Sequence, residues 1–149
     1  MFCENLTKSH NPILNLFERL TMKELKLATN FRAEPEDVYA AFTNPFTIEL
    51  WTGFPAKMST EPGSEFSMWE GDIVGENIAF EENHMIQQAW FFGKEHPSVV
   101  TIKIHRDRKG ARVNIHQTNI PEEAYDNIKL GWEENYLEAL HRFLDIDDD

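Results

Sequence analysis

Six histidines, His10, His84, His96, His105, His116 and His141, are the side chains that could hold a metal or move a proton near neutral pH. Their spacing argues against a metal centre, because no H-E-x-x-H pair occurs and Cys3 is the single cysteine, which rules out a multi-thiolate zinc site. No metal and no other cofactor is expected. His105 and His116 fall on the polar phase of strand-like runs, the pattern of solvated histidine. No G-x-S-x-G, phosphate-binding loop or dinucleotide glycine motif is present. Among the many carboxylates, Glu70, Asp72 and Glu76 lie near turns and strand edges, and Glu133, Glu134 and Glu138 on the polar flank of a helix. Nothing sets two of them apart as a general acid and base, so no catalytic residue is nominated.

The amides are more informative. In "FSMWEGDIVGENIAFEENHMIQQAWFF", residues 66–92, Ile86, Gln88, Trp90 and Phe92 share one strand phase, and Ile73, Gly75, Asn77 and Ala79 share one on the preceding strand. Both phases should be packed, yet they carry polar groups. Burying an amide without a partner costs about 1–3 kcal/mol. Asn77 and Gln88 therefore either line a cavity for a small molecule or bond to backbone and to each other, and the two readings can coexist.

These groups sit in a chain of 149 residues, the size of one domain that buries a core without disulfides. The 41% hydrophobic content, with four tryptophans, three tyrosines and 11 phenylalanines, is that of a globular protein. No apolar run approaches the ~20 residues of a membrane span. The start "MFCENLTKSH" lacks the basic and apolar segments of a secretory signal, and one cysteine forms no intrachain disulfide, so a cytoplasmic location is expected. The net charge of −12, to which the terminal "DIDDD" contributes four acids, disfavours a nucleic-acid partner. Lys103, Arg106, Arg108, Lys109 and Arg112 crowd one predicted hairpin tip, where a solvated turn is the ordinary reading.

The elements follow from periodicity. Residues 12–20 read as a short amphipathic helix with Ile13, Leu16, Phe17 and Leu20 on one face, and residues 1–21 as an extension laid on the domain or on a second copy in a homodimer. From Met22, "KELKLATNF" alternates as a half-buried strand, with Leu25, Leu27, Thr29 and Phe31 inward. "AEPEDVYAAF" and "NPFTIELWTG" give two short helices, the second starting behind Pro45. Five strands then run as an antiparallel meander, and pairing the apolar phases sets Ile104 opposite Val113 and Ile102 opposite Ile115. "PEEAYDNIKLGWEENYLEALHRFL" reads as one long helix to Leu144, followed by an acidic tail over 145–149. The fold class is α+β: a helix-grip domain over 22–144, with a curved antiparallel sheet wrapped around the long C-terminal helix and two short helices after the first strand.

Three segments in this order also carry a family resemblance: "GDIVGENIAFEENHMIQQAW", with its G-x-I-x-G-x-N … I-x-Q-x-W pattern, "LGWEENYLEALHRFL", and "LWTGFPAKMSTEPGSEFSMWEG" with its tryptophan and P-G turn. Over roughly residues 23–144 the chain resembles the C-terminal domain of the activator of heat-shock-protein-90 ATPase, of the START-like, birch-pollen-allergen-like (SRPBCC) superfamily. The resemblance implies a hydrophobic cavity between sheet and helix and, by analogy with the co-chaperone, a chaperone as partner in a stress response. It does not imply one activity.

A small-molecule-binding domain for an apolar or amphipathic ligand is the leading reading. Its pocket is expected to be lined by Trp51, Phe66, Met68, Asn77, Gln88, Trp90, Tyr125, Trp132 and Tyr136. The alternatives are an enzyme of the cyclase or hydratase kind, pairing a pocket carboxylate with Tyr125 or Tyr136, and a chaperone-interacting module.

Overall fold

The computed structural model describes residues 22–92 and 97–145. The helix expected over residues 12–20, Cys3, His10, His96 and the last four residues lie outside them.

Strand β1 (Lys23–Phe31) puts Leu25 and Phe31 in the core and Leu27 and Thr29 against it, while Lys26, Ala28 and Asn30 are exposed. The chain then enters α1 (Pro35–Thr43), with Pro35 at its start and Glu36 and Asp37 in the first turn, where the helix dipole favours acids. Asn44 closes α1 and opens α2 (Pro45–Thr52): its side-chain oxygen accepts from the Phe46 and Thr47 N–H groups at 2.9 and 3.3 Å. Gly53, at φ 84°, ends α2 in the left-handed region.

The strands β2 (Glu65–Met68), β3 (Ile73–Glu81), β4 (Met85–Trp90), β5 (Ser98–Asp107) and β6 (Gly110–Ile120) follow in series. Together with β1 they form one six-stranded antiparallel sheet in the order β1-β6-β5-β4-β3-β2, which curves around the C-terminal helix as a helix grip. The two short helices therefore carry the chain between opposite edges of the sheet. In the β5–β6 hairpin Ile104 faces Val113 and Ile102 faces Ile115, the register that the apolar phases predict.

Two local features depart from the sequence reading. On β3 the alternation does not run through to Ala79. The pairing with β4 shifts between Asn77 and Ala79, so that Asn77 faces Gln88 and Phe80, not Ala79, faces Ile86. Ile78 is the extra residue of a β-bulge, and it reverses the phase beyond it. The second departure lies in the long helix. It consists of α3 (Glu122–Gly131), a π-helical turn over Trp132–Tyr136, and α4 (Leu137–Leu144). In the turn the Leu137 N–H reaches the Trp132 carbonyl, five residues back. An unbroken α-helix would place Leu137 about 140° round from Trp132. The wider turn brings it back, so that Trp132, Tyr136, Leu137 and Leu140 are all buried.

Candidate functional site

Two tryptophans stand at the centre of the grip. Trp90 comes from the end of β4 and Trp132 from the π-helical turn; both are fully buried, and their rings stack 5.1 Å apart at 18°. An indole N–H sealed from water needs an acceptor. The Trp90 Nε1 donates to Gln88 Oε1 at 3.0 Å, and the Trp132 Nε1 to Gln117 Oε1 at 2.7 Å. Each glutamine passes its own N–H groups on. Gln88 donates to Asn77 Oδ1 at 3.0 Å, and Asn77 donates to Ser64 Oγ at 3.1 Å and to the Ser59 carbonyl at 3.2 Å. Gln117 donates to Ser98 Oγ at 2.9 Å, which donates to the Thr118 carbonyl at 2.6 Å. These bonds form two relays among the described residues, each from an indole to a serine hydroxyl, one through Gln88 and Asn77 and the other through Gln117. Among the described residues no buried side-chain nitrogen or oxygen lacks a partner.

Tyr136 is the hub of the aromatic interior. Its ring lies 4.5 Å from Trp132, 6.2 Å from Trp90, 5.2 Å from Trp51, 5.5 Å from Trp69 and 6.0 Å from Phe42, so all four tryptophans of the chain touch it. Its hydroxyl lies 4.0 Å from Met68 Sδ, and burial raises its pKa above the ordinary tyrosine value. The phenol is a neutral wall group at physiological pH. Trp51 is held by α2 and donates its Nε1 to the Ala41 carbonyl at 2.8 Å. Trp69 is placed by the β2–β3 turn, where it takes a φ of 51°. That conformation is unusual for a bulky residue, and here it turns the half-buried indole edge-on to Trp51, at 5.3 Å and 86°.

Of the nine residues expected to line a pocket, eight are buried, Trp51, Phe66, Met68, Asn77, Gln88, Trp90, Trp132 and Tyr136, and of these Trp51 also lines the solvent-facing cleft described below. Tyr125 does not join them. It is half-buried near the start of α3, with Lys23 Nζ 5.4 Å from its ring centre, a cation–π contact at the first residue of β1. Gln117 and Ser98 are absent from the sequence reading, although Gln117 continues the inward phase of Val113 and Ile115 and so carried the same signal as Gln88. Trp69 was hidden for another reason: a turn has no phase from which to read direction.

The aromatic interior meets solvent at a cleft of about 460 Å³ between α2, the β2–β3 turn and the C-terminal helix. Trp51, Trp69, Leu50 and Phe143 supply its apolar walls, and Glu134, Asn135 and Arg142 its polar ones. A larger groove of about 730 Å³ crosses the outer face of the sheet at Lys26, Gln87, Thr101, Lys103 and His116. It lies across the sheet from the tryptophans, and beside these polar groups it is lined by Leu27, Ala28, Met85 and Ile115. No three His, Cys, Asp or Glu among the described residues are grouped to hold a metal ion.

Residues 32–145 match the family described as activator of Hsp90 ATPase homolog 1-like protein. The chain belongs to this family. It is 33% identical over 128 residues to a Dictyostelium discoideum protein named activator of 90 kDa heat shock protein ATPase homolog, covering 83% of this chain and 33% of that one. The chain therefore spans about a third of the length of that relative. Among solved structures, a Mesorhizobium loti protein superposes with a TM-score of 0.74 at 22% identity, covering 85% of this chain and all of that one. A Plasmodium falciparum HSP90 activator superposes with a TM-score of 0.72 at 24% identity, covering 83% and 95%. These two likenesses show the shared fold. The family match takes in α1, α2, the whole meander and the C-terminal helix, hence every residue of the two relays and of the Tyr136 cluster.

Proposed function

We propose that this family member is a binding domain that takes the apolar part of a small amphipathic molecule at the Trp51–Trp69 cleft, next to Tyr136. The observation that carries this reading is the cleft itself: an opening of about 460 Å³ with two indoles in its wall and one carboxylate and one guanidinium on its rim. Ligand sites combine apolar walls and a few polar groups in this way. The buried amides support a division of labour in which Asn77 and Gln88 hold Trp90, Gln117 holds Trp132, and the cleft receives the ligand. A chaperone is the second candidate partner, supported by the names of the relatives and by the exposed apolar side chains of α2.

The test is native mass spectrometry of the freshly purified chain, followed by tryptophan-fluorescence titration with medium-chain fatty acids. A retained adduct or a saturable signal, weakened about tenfold or more by Trp69→Ala, is the expected outcome. Absence of any adduct together with a flat titration overturns the small-molecule reading.

A further inference from the structure

Helix α2, "PFTIELWT", is apolar on two sides. One side, Ile48 and Trp51, is buried in the core, while the other presents Phe46 at 79% and Leu50 at 72% exposure, one helical turn apart. Phe54, 38% exposed, continues the line past Gly53. A helix that is apolar all round is ordinarily covered on both sides. Here the second side faces solvent, and it is presented rigidly, fixed at its start by Asn44 and Pro45 and at its end by Gly53. The line runs into the cleft, since Leu50 also forms one of its walls beside Trp69 and Phe143. Leu50 and Phe46 thus extend the Trp51, Trp69 and Phe143 side of a cleft with mixed polar and apolar walls onto an open surface.

Charge narrows the occupant. The exposed acids nearest this site include Glu49 on α2, Glu70 beside Trp69, and Glu134 and Glu138 on the C-terminal helix. Among the described residues that line the cleft the cation is Arg142, which is already 3.7 Å from Glu138. The basic cluster of the chain lies elsewhere, at the β5–β6 turn, where Arg106 forms a fork with Glu34 just before the start of α1. We infer that Phe46, Leu50, Phe54 and the adjoining cleft form a docking surface for a basic amphipathic helical segment of a partner protein. The apolar side chains of that segment, spaced three and four residues apart, would lie along Phe46 and Leu50, and its lysines or arginines would face Glu49 and Glu134. This inference does not depend on a small molecule entering the cleft.

The test uses the full chain and a fluorescently labelled peptide of about 16 residues, long enough to form a helix, with leucines spaced three and four apart and lysines elsewhere. A second peptide keeps the leucines and replaces each lysine by glutamate. The lysine peptide should bind saturably in anisotropy titrations and the glutamate peptide should not. Leu50→Asp and Phe46→Asp, both at exposed positions and checked for an unchanged thermal midpoint, should each weaken binding about tenfold or more. Because each substitution adds negative charge, plain attraction of lysines to an acidic protein predicts equal or tighter binding instead. Equal binding of the two peptides, no saturable binding, or undiminished binding by Leu50→Asp overturns the inference. So does sedimentation equilibrium showing a dimer that Leu50→Asp dissociates, since the surface would then belong to a second copy of this chain. Neither peptide result bears on the fatty-acid titration, which reads Trp69.

Discussion

Trp132 and Gln117 show how a single side chain determines what its neighbour must be. The indole of Trp132 packs against Trp90 and is fully buried, so its N–H needs a protein acceptor, which Gln117 supplies at 2.7 Å. The two residues carry different kinds of energy. Trp132→Ala removes a large ring and leaves a hole that the stiff sheet cannot fill, a loss of about 3–5 kcal/mol. Gln117→Ala leaves most of the packing in place but strands one buried N–H, at about 1–3 kcal/mol. Urea unfolding of the two variants should rank them in that order. If Gln117→Ala cost as much as Trp132→Ala, the amide would be holding β6 in place and not merely satisfying the indole.

At the scale of elements, the close approach of β3 and β4 depends on a missing side chain. A Cβ built at Gly75 would lie 1.8 Å from the Ala89 carbonyl oxygen and 2.8 Å from the Phe66 ring. The first neighbour is backbone of the paired strand and cannot swing aside. Gly75→Ala should therefore push β3 from β4 next to Trp90, at a cost of about 3 kcal/mol or more, in the far tail of single substitutions. Thermal unfolding checks this, and a midpoint within a degree or two of the parent would show that the strands separate cheaply. The other edge of the grip is tied differently. His141 on α4 bonds Thr29 of β1 through Nε2 at 2.8 Å and Asp145 through Nδ1 at 2.5 Å, and it stacks on Phe31 at 4.3 Å. Asp145 in turn accepts from the Arg32 N–H at 2.7 Å, so the end of the C-terminal helix is fastened to the edge strand by side chains. The chemical appearance of a hydroxyl, an imidazole and a carboxylate in line is here a clamp between two elements.

For the whole molecule, the burial of Tyr136 links stability to alkaline pH. In the unfolded chain a tyrosine releases its proton near its ordinary pKa of about 10. In the folded chain burial holds the Tyr136 proton to higher pH, and Tyr39 is shifted the same way, first by burial and then by Glu82. Above pH ~10 the unfolded state therefore binds fewer protons than the folded one, and stability falls as pH rises. Below that range both states keep the proton and the contribution is complete. Tyr136→Phe should flatten the decline between about pH 10 and 12 without abolishing it, because Tyr39 remains. Urea midpoints measured across that range check this; parallel curves for parent and variant would show that the phenol reaches water in the folded state.

What could be read from the sequence was local. The alternation in β1, β5 and β6, the register that sets Ile102 against Ile115, and the Asn44–Pro45 start of α2 all follow from period, caps and fixed dihedrals within a few residues. The inward direction of Trp90, Trp132 and Tyr136 was legible for the same reason. The tertiary structure decided who answers whom. The sequence leaves open which partners Asn77 and Gln88 take, and the arrival of Ser64 from one side and the Trp90 indole from the other joins them into a relay. The bulge at Ile78 and the π-helical turn at Trp132–Tyr136 each insert one residue where ideal periodicity would turn a core side chain outward. Such insertions are local defects stabilised by distant packing, and no periodicity announces them. Tyr125 ended under Lys23 because the helix phase that carries it inward runs out at the sheet edge, where β1 begins. A sequence records the preferences of each segment; the balance between a dry N–H and its acceptor is struck only where segments far apart in the chain meet.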